Sequence, residues 1–139
     1  MAIHIVAGHW SELQQDAQNI REQVFIIEQN IAPQDEWDEL DAVSTHFVLY
    51  QDTQALATAR LLADHSIGRV AVLQQARGQG LGQQLMQVVI DYAKQQGRDY
   101  VHLSSQVHAR GFYQALGFVA QGEQYLDCNI PHIHMQLMF

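Results

Sequence analysis

The chain has 139 residues, the usual size of one domain, and 47% of them are hydrophobic. Acidic residues outnumber basic ones by 15 to 7, and the formal net charge is −8 with neutral histidines. An acidic surface repels phosphodiester backbones, so the composition argues against a nucleic-acid partner. No apolar run reaches the roughly 20 residues that span a bilayer, so we expect no membrane partner.

The single cysteine, Cys128, cannot form a disulfide within the chain, which favours a reducing compartment. The first residues, MAIHIVAGHW, have no basic n-region and no cleavage pattern, so we predict no signal peptide. These features predict a cytoplasmic protein. Since we find no repeat, low-complexity tract or linker, we also predict a single domain over residues 1–139.

The first half of the chain predicts a strand, a helix and three antiparallel strands. AIHIVA alternates like a strand, and Ser11 with Gln14 has the spacing of a capping box. The helix would end before Pro33. Its buried face follows steps of three and four through Leu13, Ala17, Ile20, Val24 and Ile27. The three strands are THFVLY, ALATARLLA and RVAVL, with turns at QDTQ and HSIG.

The second half predicts a helix, a strand, a short helix and a closing pair of strands. The first helix begins near Leu81 and ends at Gly97, and the short helix HARGFYQAL stops at Gly117. YVHLSS is the strand between them, and Pro131 separates FVAQGEQYL from HIHMQLMF. The order β-α-β-β-β-α-β-α-β-β predicts an α/β (α+β) fold, with a mixed central sheet flanked by helices.

The stretch QQARGQGLGQQL places Gly78, Gly80 and Gly82 between a predicted strand and a predicted helix. A helix N-terminus carries unpaired N–H groups and a partial positive charge, and glycines let an anion approach the backbone. The stretch therefore predicts a pyrophosphate site, to which Arg77 could add a charged fork. For this motif taken alone, a strand-to-helix turn without a ligand is the alternative.

Two motifs resemble those of the GNAT superfamily of N-acetyltransferases. Gln75-x-x-Gly78-x-Gly80 is similar to its signature Q/R-x-x-G-x-G/A, and ARGFYQALGF resembles its second hallmark, A-x-x-F-Y-x-x-L-G-F. IREQVFIIEQ and the acidic stretch after it resemble the first helix and the substrate-side loop of small bacterial members. The resemblance covers nearly the whole chain, and it implies a GNAT-like fold and acetyl-CoA as co-substrate.

The resemblance also implies which residues hold acetyl-CoA. The backbone of Val70, Ala71 and Val72 would pair with the pantetheine arm, in a V-shaped opening between two diverging strands. Backbone N–H groups from Arg77 to Gly82 would hold the pyrophosphate. The implied cofactor residues are Val70, Ala71, Val72, Gln75, Arg77, Gly78, Gln79, Gly80, Leu81, Gly82, Gln106 and Tyr113.

Aminolysis of a thioester needs a deprotonated amine, a polarised carbonyl and a proton for the leaving thiolate. Tyr113 stands at the family's tyrosine position, and the resemblance implies that it is the general acid. Its alternative role is aromatic packing at the end of a short helix. The N–H of Val72 is the implied oxyanion donor, and Phe112 is assigned to the core.

The general base and the acceptor site are less defined. Many members have a glutamate on the strand before the glycine loop, whereas IGRVAVL has no carboxylate. The acidic run DEWDELD could be a solvated loop or a cation-attracting rim beside a site. Its Trp37 could bind an alkylammonium, or it could be an apolar anchor for the loop. The candidates for the base, besides a water chain, are Glu28, Asp35, Glu36 and His102. The predicted acceptor residues are Glu28, Glu36, Trp37 and His102.

Eight histidines raise the question of a metal site. His132 and His134 share one face of a predicted strand, and Cys128 is nearby in the sequence. A pair of this kind is too common to indicate zinc without further ligands, so we expect no metal.

The sequence therefore predicts direct transfer of an acetyl group from acetyl-CoA to a primary amine of a small molecule, in a ternary complex. A non-catalytic acyl-CoA-binding sensor or scaffold is the alternative, favoured by the missing strand glutamate and disfavoured by Tyr113. A longer acyl donor is also left open. The resemblance allows a homodimer, and the position of the last strands suggests their exposed faces as the contact.

Overall fold

A computed structural model of the protein describes residues 2–139, so Met1, the first residue of the predicted domain, lies outside it. The strands are β1 (Ile3–Gly8), β2 (Thr45–Gln51), β3 (Gln54–Leu61), β4 (Ile67–Val72), β5 (Tyr100–Gln106), β6 (Val119–Asp127) and β7 (Ile130–Met138). The α-helices are α1 (Trp10–Arg21), α2 (Pro33–Glu36), α3 (Leu81–Gln95) and α4 (Arg110–Ala115). The predicted order is confirmed, with α2 as an addition between α1 and β2.

The strands form two antiparallel sheets that meet at one point. The first sheet has the order β1-β2-β3-β4 and the second has the order β5-β7-β6. A parallel bridge between Ser66 and His102 joins the start of β4 to β5, and the N–H of His102 donates to the carbonyl of His65 at 3.1 Å. Within residues 2–139 no other bridge joins β4 to β5, so the two strands diverge toward their C-terminal ends.

Helices cover both faces of the first sheet. Side chains alternate along β2, so Phe47 and Leu49 pack in the cluster that contains α3, and Val48 packs in the cluster that contains α1. The largest fully buried apolar side chains of the α3 side include Phe47, Leu49, Leu61, Leu85, Met86 and Val89. The predicted layering is therefore confirmed.

The first helix differs from its prediction at both ends. It begins at Trp10, because the N–H of His9 bonds Glu12 Oε1 at 3.1 Å, and not after a cap at Ser11. After α1 the chain continues as a π-helical segment, Glu22–Glu28. The wider turn shifts the buried face, so Phe25 is buried and Ile27 is 57% exposed, contrary to the prediction for Ile27. Pro33 begins α2.

The turn between β6 and β7 also lies where the sequence did not place it. The chain reverses at Cys128 and Asn129, whose φ angles are 50° and 62°. Positive φ at both central residues suits the twist of a two-residue hairpin. Pro131 lies inside β7, next to its first residue, and does not separate the two strands.

Candidate active site

A cavity of about 810 Å³ opens between the diverging ends of β4 and β5. The π-helical segment, α2, the loop before α3, helix α4 and the β6–β7 turn also contribute to its wall. The structure brings most of the predicted cofactor and acceptor residues to this wall. They are Glu28, Glu36, Val70, Ala71, Val72, Arg77, Gly78, Gly80, Leu81, Gly82, Gln106 and Tyr113.

Four predicted site residues do not line the cavity: Gln75, Gln79, Trp37 and His102. The ring of Trp37 lies against the guanidinium of Arg21, whose Cζ atom is 5.1 Å from the ring centroid. The predicted cation–π interaction of Trp37 is therefore made with an arginine of the protein itself. His102 lies at the closed end of the V, where Nε2 is 2.9 Å from the carbonyl oxygen of Asp64. The structure therefore gives neither side chain a contact with the cavity.

The loop before α3 presents a row of unpaired backbone donors. Gly78 and Gly80 have φ angles of 79° and 75°, the left-handed region that favours glycine. The first helical bond runs from the N–H of Gln84 to the carbonyl of Gly80, at 3.1 Å. Within residues 2–139, the N–H groups of residues 78–83 have no acceptor, whereas that of Arg77 donates to the carbonyl of Gln74 at 3.3 Å. The row of free donors therefore begins at Gly78, one residue later than predicted. Unpaired donors at a helix N-terminus fit the pyrophosphate of an acyl-CoA.

Gly82 has a different role from Gly78 and Gly80. A Cβ atom on Gly82 would lie 3.3 Å from Val72 Cγ2 and 3.4 Å from Phe112 Cζ. The glycine therefore lets the start of α3 approach β4 and α4 closely. Phe112 is 37% exposed and lines the cavity, so its assignment to the core was wrong.

The edge of β4 that faces β5 offers main-chain groups to a ligand. Ala71 pairs with Thr58 in β3, and the N–H of Leu73 donates to the carbonyl of Leu56 at 2.9 Å. Because alternate residues of an antiparallel strand bond in opposite directions, the polar groups of Val72 point away from β3. Its carbonyl oxygen accepts a hydrogen bond from Arg77 Nε at 3.0 Å. An extended ligand could pair along this edge.

Arg77 and Glu28 form a two-pronged ion pair at the mouth of the cavity. Nη1 and Nη2 of Arg77 each lie 2.7 Å from a carboxylate oxygen of Glu28. The hydrogen bonds from Arg77 lower the pKa of Glu28, and those same bonds raise the pKa of Arg77. Glu28 thus binds the guanidinium that was predicted to bind phosphate. Because this ion pair stabilises the ionised carboxylate, Glu28 becomes a weaker candidate for the general base.

Gln29 and Gln106 exchange two hydrogen bonds across the opening. Gln29 Nε2 donates to Gln106 Oε1 at 3.2 Å, and Gln106 Nε2 donates to Gln29 Oε1 at 2.9 Å. Glu28 and Gln29 are consecutive, so the end of the π-helical segment is tied both to the loop before α3 and to the end of β5. Sequence reasoning missed Gln29, although it lies inside the motif IREQVFIIEQ.

Tyr113 lies on α4 and lines the cavity. Its side chain is buried between Phe112 and Phe118, whose ring centroids are 5.0 and 5.9 Å from its own. Within residues 2–139 the hydroxyl has no hydrogen-bond partner, and it is not among the fully buried polar atoms left unpaired. Burial raises the pKa of Tyr113, so the hydroxyl keeps its proton through the neutral range.

The acidic stretch folds inward around three arginines. Arg21, which is 1% exposed, bonds Glu36 Oε2 through Nε and Asp41 Oδ1 through Nη1, both at 2.7 Å. Arg60 bonds Asp41 at 2.8 Å and Asp38 at 2.7 Å. Both interpretations of this stretch, a solvated loop and a cation-attracting rim, placed its carboxylates at the surface, whereas Glu36 and Asp41 are buried.

Arg69 joins this network to the edge of the cavity. It occupies a bulge in β4 and has a φ angle of 51°, which is uncommon for a residue with a side chain. Its Nη2 donates to the carbonyl of Glu36 at 2.9 Å, and its Nε lies 3.2 Å from Glu36 Oε2. Burial raises the pKa of Glu36 and outweighs the opposing effect of the arginines.

The histidines and Cys128 form no cluster that suggests a metal. In the part of the chain that the structure describes, no group of three or more His, Cys, Asp or Glu side chains could hold an ion. His132 Nδ1 lies 2.7 Å from the carbonyl oxygen of Ile130, and the rings of His102 and His134 are 5.2 Å apart.

Among residues 2–139 no helix has the length and apolar character of a membrane span.

Comparison with known proteins assigns the family. Residues 12–139 match the profile of the Acetyltransferase (GNAT) domain. Protein ElaA of Escherichia coli (strain K12) is 36% identical over 120 residues, which cover 81% of this chain and 78% of that protein. The uncharacterized N-acetyltransferase YjcF of Bacillus subtilis (strain 168) is 33% identical over 135 residues, which cover 94% of this chain and 96% of that protein.

Solved structures agree. The crystal structure of E. coli ElaA has a TM-score of 0.88 and 32% identity, and the match covers 98% of this chain and 99% of that one. An acyl-CoA N-acyltransferase from Pseudomonas aeruginosa has a TM-score of 0.87 and 37% identity, with the same coverage of 98% and 99%. Fold, motifs and relatives agree that this chain belongs to the GNAT family of acyl-CoA N-acyltransferases.

Proposed function

We propose that the protein is an N-acetyltransferase that moves the acetyl group of acetyl-CoA directly to a primary amine of a small molecule. Membership of the family makes an acyl-CoA the expected donor. One observation supports catalysis in addition to acyl-CoA binding. The unpartnered hydroxyl of Tyr113 lies at the wall of the same cavity as the free edge of β4 and the unpaired donors of residues 78–83.

Two parts of the chain would hold acetyl-CoA, which supplies an activated thioester. The N–H groups of residues 78–83 would bind the pyrophosphate, and the main chain of Val70–Val72 would pair with the pantetheine arm. The N–H of Val72 would then donate to the thioester carbonyl oxygen, where negative charge develops.

Tyr113 would give its proton to the sulfur as the carbon–sulfur bond breaks. The amine nitrogen attacks the carbonyl carbon, and the phenolic proton converts the departing thiolate to a thiol. A phenol is protonated at neutral pH, and burial, which raises the pKa of Tyr113, leaves that protonation state unchanged. The phenolate is then reprotonated from solvent.

The state of Cys128 supports direct transfer over an acyl-enzyme. Cys128 is the one cysteine of the chain, and it lines the cavity at the β6–β7 turn. Burial, together with the negative charges of Asp127 and Asp35, raises the pKa of its thiol. Since the thiolate is the nucleophilic form, this environment disfavours attack by Cys128 on the thioester.

The acceptor end of the cavity favours a cationic amine. Asp35 and Asp127 line the wall, and within residues 2–139 neither forms an ion pair. Arg69, the cation at this end, is already bonded to Glu36 and Asp38. An ammonium group is attracted to two carboxylates that form no ion pair, whereas a phosphorylated amine is repelled.

The direct test is CoA release from acetyl-CoA with a panel of amines at slightly alkaline pH. The panel contains spermidine, glucosamine, free amino acids, an aminoglycoside and short peptides, and thermal stabilisation by acetyl-CoA is measured in parallel. We expect stabilisation, and CoA release with at least one cationic amine. Stabilisation without release from any amine would support a non-catalytic acyl-CoA-binding module. No stabilisation would contradict the binding site itself.

Substitutions of Glu28 and of Arg77 are expected to change the affinity for CoA in opposite directions. Glu28→Gln should tighten CoA binding by about threefold, because it frees the charge of Arg77 for the phosphates. Arg77→Gln should weaken binding by a similar factor. Isothermal titration with CoA measures both. If both substitutions change the affinity in the same direction, then Arg77 does not leave Glu28 in order to bind a phosphate of CoA.

A further inference from the structure

The reaction needs a base, and β4 carries no carboxylate to supply one. Of the four candidates in the sequence, Glu28 is held by Arg77 and His102 lies outside the cavity. Asp35 lies at the acceptor end and is exposed. Glu36 lines the cavity wall, and its ion pairs with Arg21 and Arg69 engage only one of its two carboxylate oxygens.

The contacts of Glu36 leave one carboxylate oxygen free. Arg21 Nε at 2.7 Å and Arg69 Nε at 3.2 Å both approach Oε2. Within residues 2–139, Oε1 accepts no hydrogen bond, yet it is not among the buried polar atoms that lack a partner. The side chain lines the cavity, so Oε1 faces open space there. An oxygen in this state can accept a proton.

Arg69 fixes where that oxygen lies relative to the predicted thioester site. Arg69 directly precedes Val70, and its bulged backbone turns the guanidinium toward α2. Its hydrogen bond to the carbonyl of Glu36 and its ion pair with the carboxylate therefore hold the end of α2 against β4, next to the Val70–Val72 edge. Strand β4 has no carboxylate of its own, and Arg69 thus holds the carboxylate of Glu36, from α2, beside it.

We propose that Glu36 is the general base of the reaction, with Oε1 as the proton acceptor. This inference rests on the proposed N-acetyltransferase function. As the nitrogen–carbon bond forms, the nitrogen becomes acidic and its proton passes to Oε1, directly or through one water. The carbon–sulfur bond breaks, and the sulfur takes the proton of Tyr113. Glu36 then releases its proton to solvent, and the products are an amide and the CoA thiol.

The charges around Glu36 tune its proton affinity. Burial raises the pKa of Glu36 above the ordinary 4.5, while the three arginines oppose that shift. A base with a raised pKa takes up a proton more readily near neutral pH. The charged and titratable groups that surround it from the neighbouring elements are Arg21, Asp35, Asp38, Asp41, His46, Arg60, Arg69, Asp127 and Cys128.

The raised pKa gives kcat a defined dependence on pH. Glu36 must be ionised to act, so kcat should fall as the pH drops through its raised pKa. Replacement by the isosteric glutamine removes the titrating group and keeps an acceptor for Arg21. The acid limb of the kcat profile therefore separates a base from a residue with a purely structural role.

The experiment compares wild type with Glu36→Gln, Asp41→Asn and Asp38→Asn, using acetyl-CoA and the fastest amine of the panel above. Asp41 binds the same Arg21 but lies outside the cavity wall, and Asp38 is a milder, part-exposed control. We expect Glu36→Gln to lower kcat about a hundredfold, to remove the acid limb and to leave the KM for acetyl-CoA unchanged. Both controls should keep the limb, with kcat within about threefold of wild type.

Three results would overturn the inference. One is a Glu36→Gln enzyme whose kcat stays within about threefold of wild type. The second is an acid limb that survives the substitution. The third is an equal loss of kcat in a folded Asp41→Asn variant, which would assign the effect to the ion network. A wild-type protein that binds acetyl-CoA but releases no CoA with any amine contradicts the proposed function itself, and the base assignment falls with it.

Discussion

Replacing Tyr113 with phenylalanine is expected to lower kcat by about a thousandfold and to leave the Kd for acetyl-CoA nearly unchanged. The substitution deletes one hydroxyl, which has no partner among residues 2–139, so no hydrogen bond within the protein is lost. The ring and its contacts with Phe112 and Phe118 are retained. Only the proton for the departing thiolate is removed.

Steady-state CoA release and isothermal titration together test this prediction. Tyr92→Phe is the matched control, because Tyr92 packs edge-on against Phe47 at 5.2 Å and lies outside the cavity wall. It should change neither kcat nor Kd. If Tyr113→Phe weakens acetyl-CoA binding and keeps kcat, the hydroxyl binds the co-substrate and the thiolate takes its proton from elsewhere.

Local patterns predicted the elements of this fold well, and they failed where tertiary packing decides the backbone. The steps of three and four through Leu13, Ala17 and Ile20 gave the buried face of α1 correctly. A π-helical turn has a different period, so extending the same steps predicted Ile27 as buried in place of Phe25. The β6–β7 turn was missed because Cys128 and Asn129 do not form one of the dipeptides that mark such turns.

The glycine motif shows how far a sequence can describe a site. It predicted the row of free donors before α3, because the physics of a helix N-terminus is local. The reason for Gly82 depends on Val72 and Phe112, which approach it only in the folded chain. Gln29 and Gln106 are likewise 77 residues apart, and no local pattern pairs them.

The acidic stretch was misjudged for the same reason. A run of carboxylates predicts a solvated surface unless cations meet it, and here the cations come from α1, β3 and β4. Arg21 offers a retrospective signal, because it lies four residues after the buried Ala17 and thus near the buried face of α1. A charged residue there needs a partner, and the nearby acidic run supplies it.

The second large effect is expected on stability. Arg21→Met should lower the free energy of unfolding by about 3–5 kcal/mol, because it leaves two buried carboxylates short of a cation. Methionine keeps much of the length and the packing between Trp10 and Trp37. Arg77→Met is the matched control, since it breaks an ion pair that is over a third exposed and should cost less than about 1 kcal/mol. Urea unfolding curves measure both.

The pH dependence of that loss distinguishes charge from packing. Burial already raises the pKa of Glu36 in the folded protein, and removing Arg21 removes one of the cations that oppose this shift. When the pKa of a carboxyl group is higher in the folded than in the unfolded protein, ionisation of that group destabilises the fold. This destabilisation is present above the folded-state pKa and is lost as the pH falls through that pKa. The deficit of Arg21→Met should therefore shrink as the pH is lowered from 8 toward about 5. A deficit that stays constant with pH would show that Arg21 stabilises the fold through its packing between the two tryptophans, with little contribution from its charge.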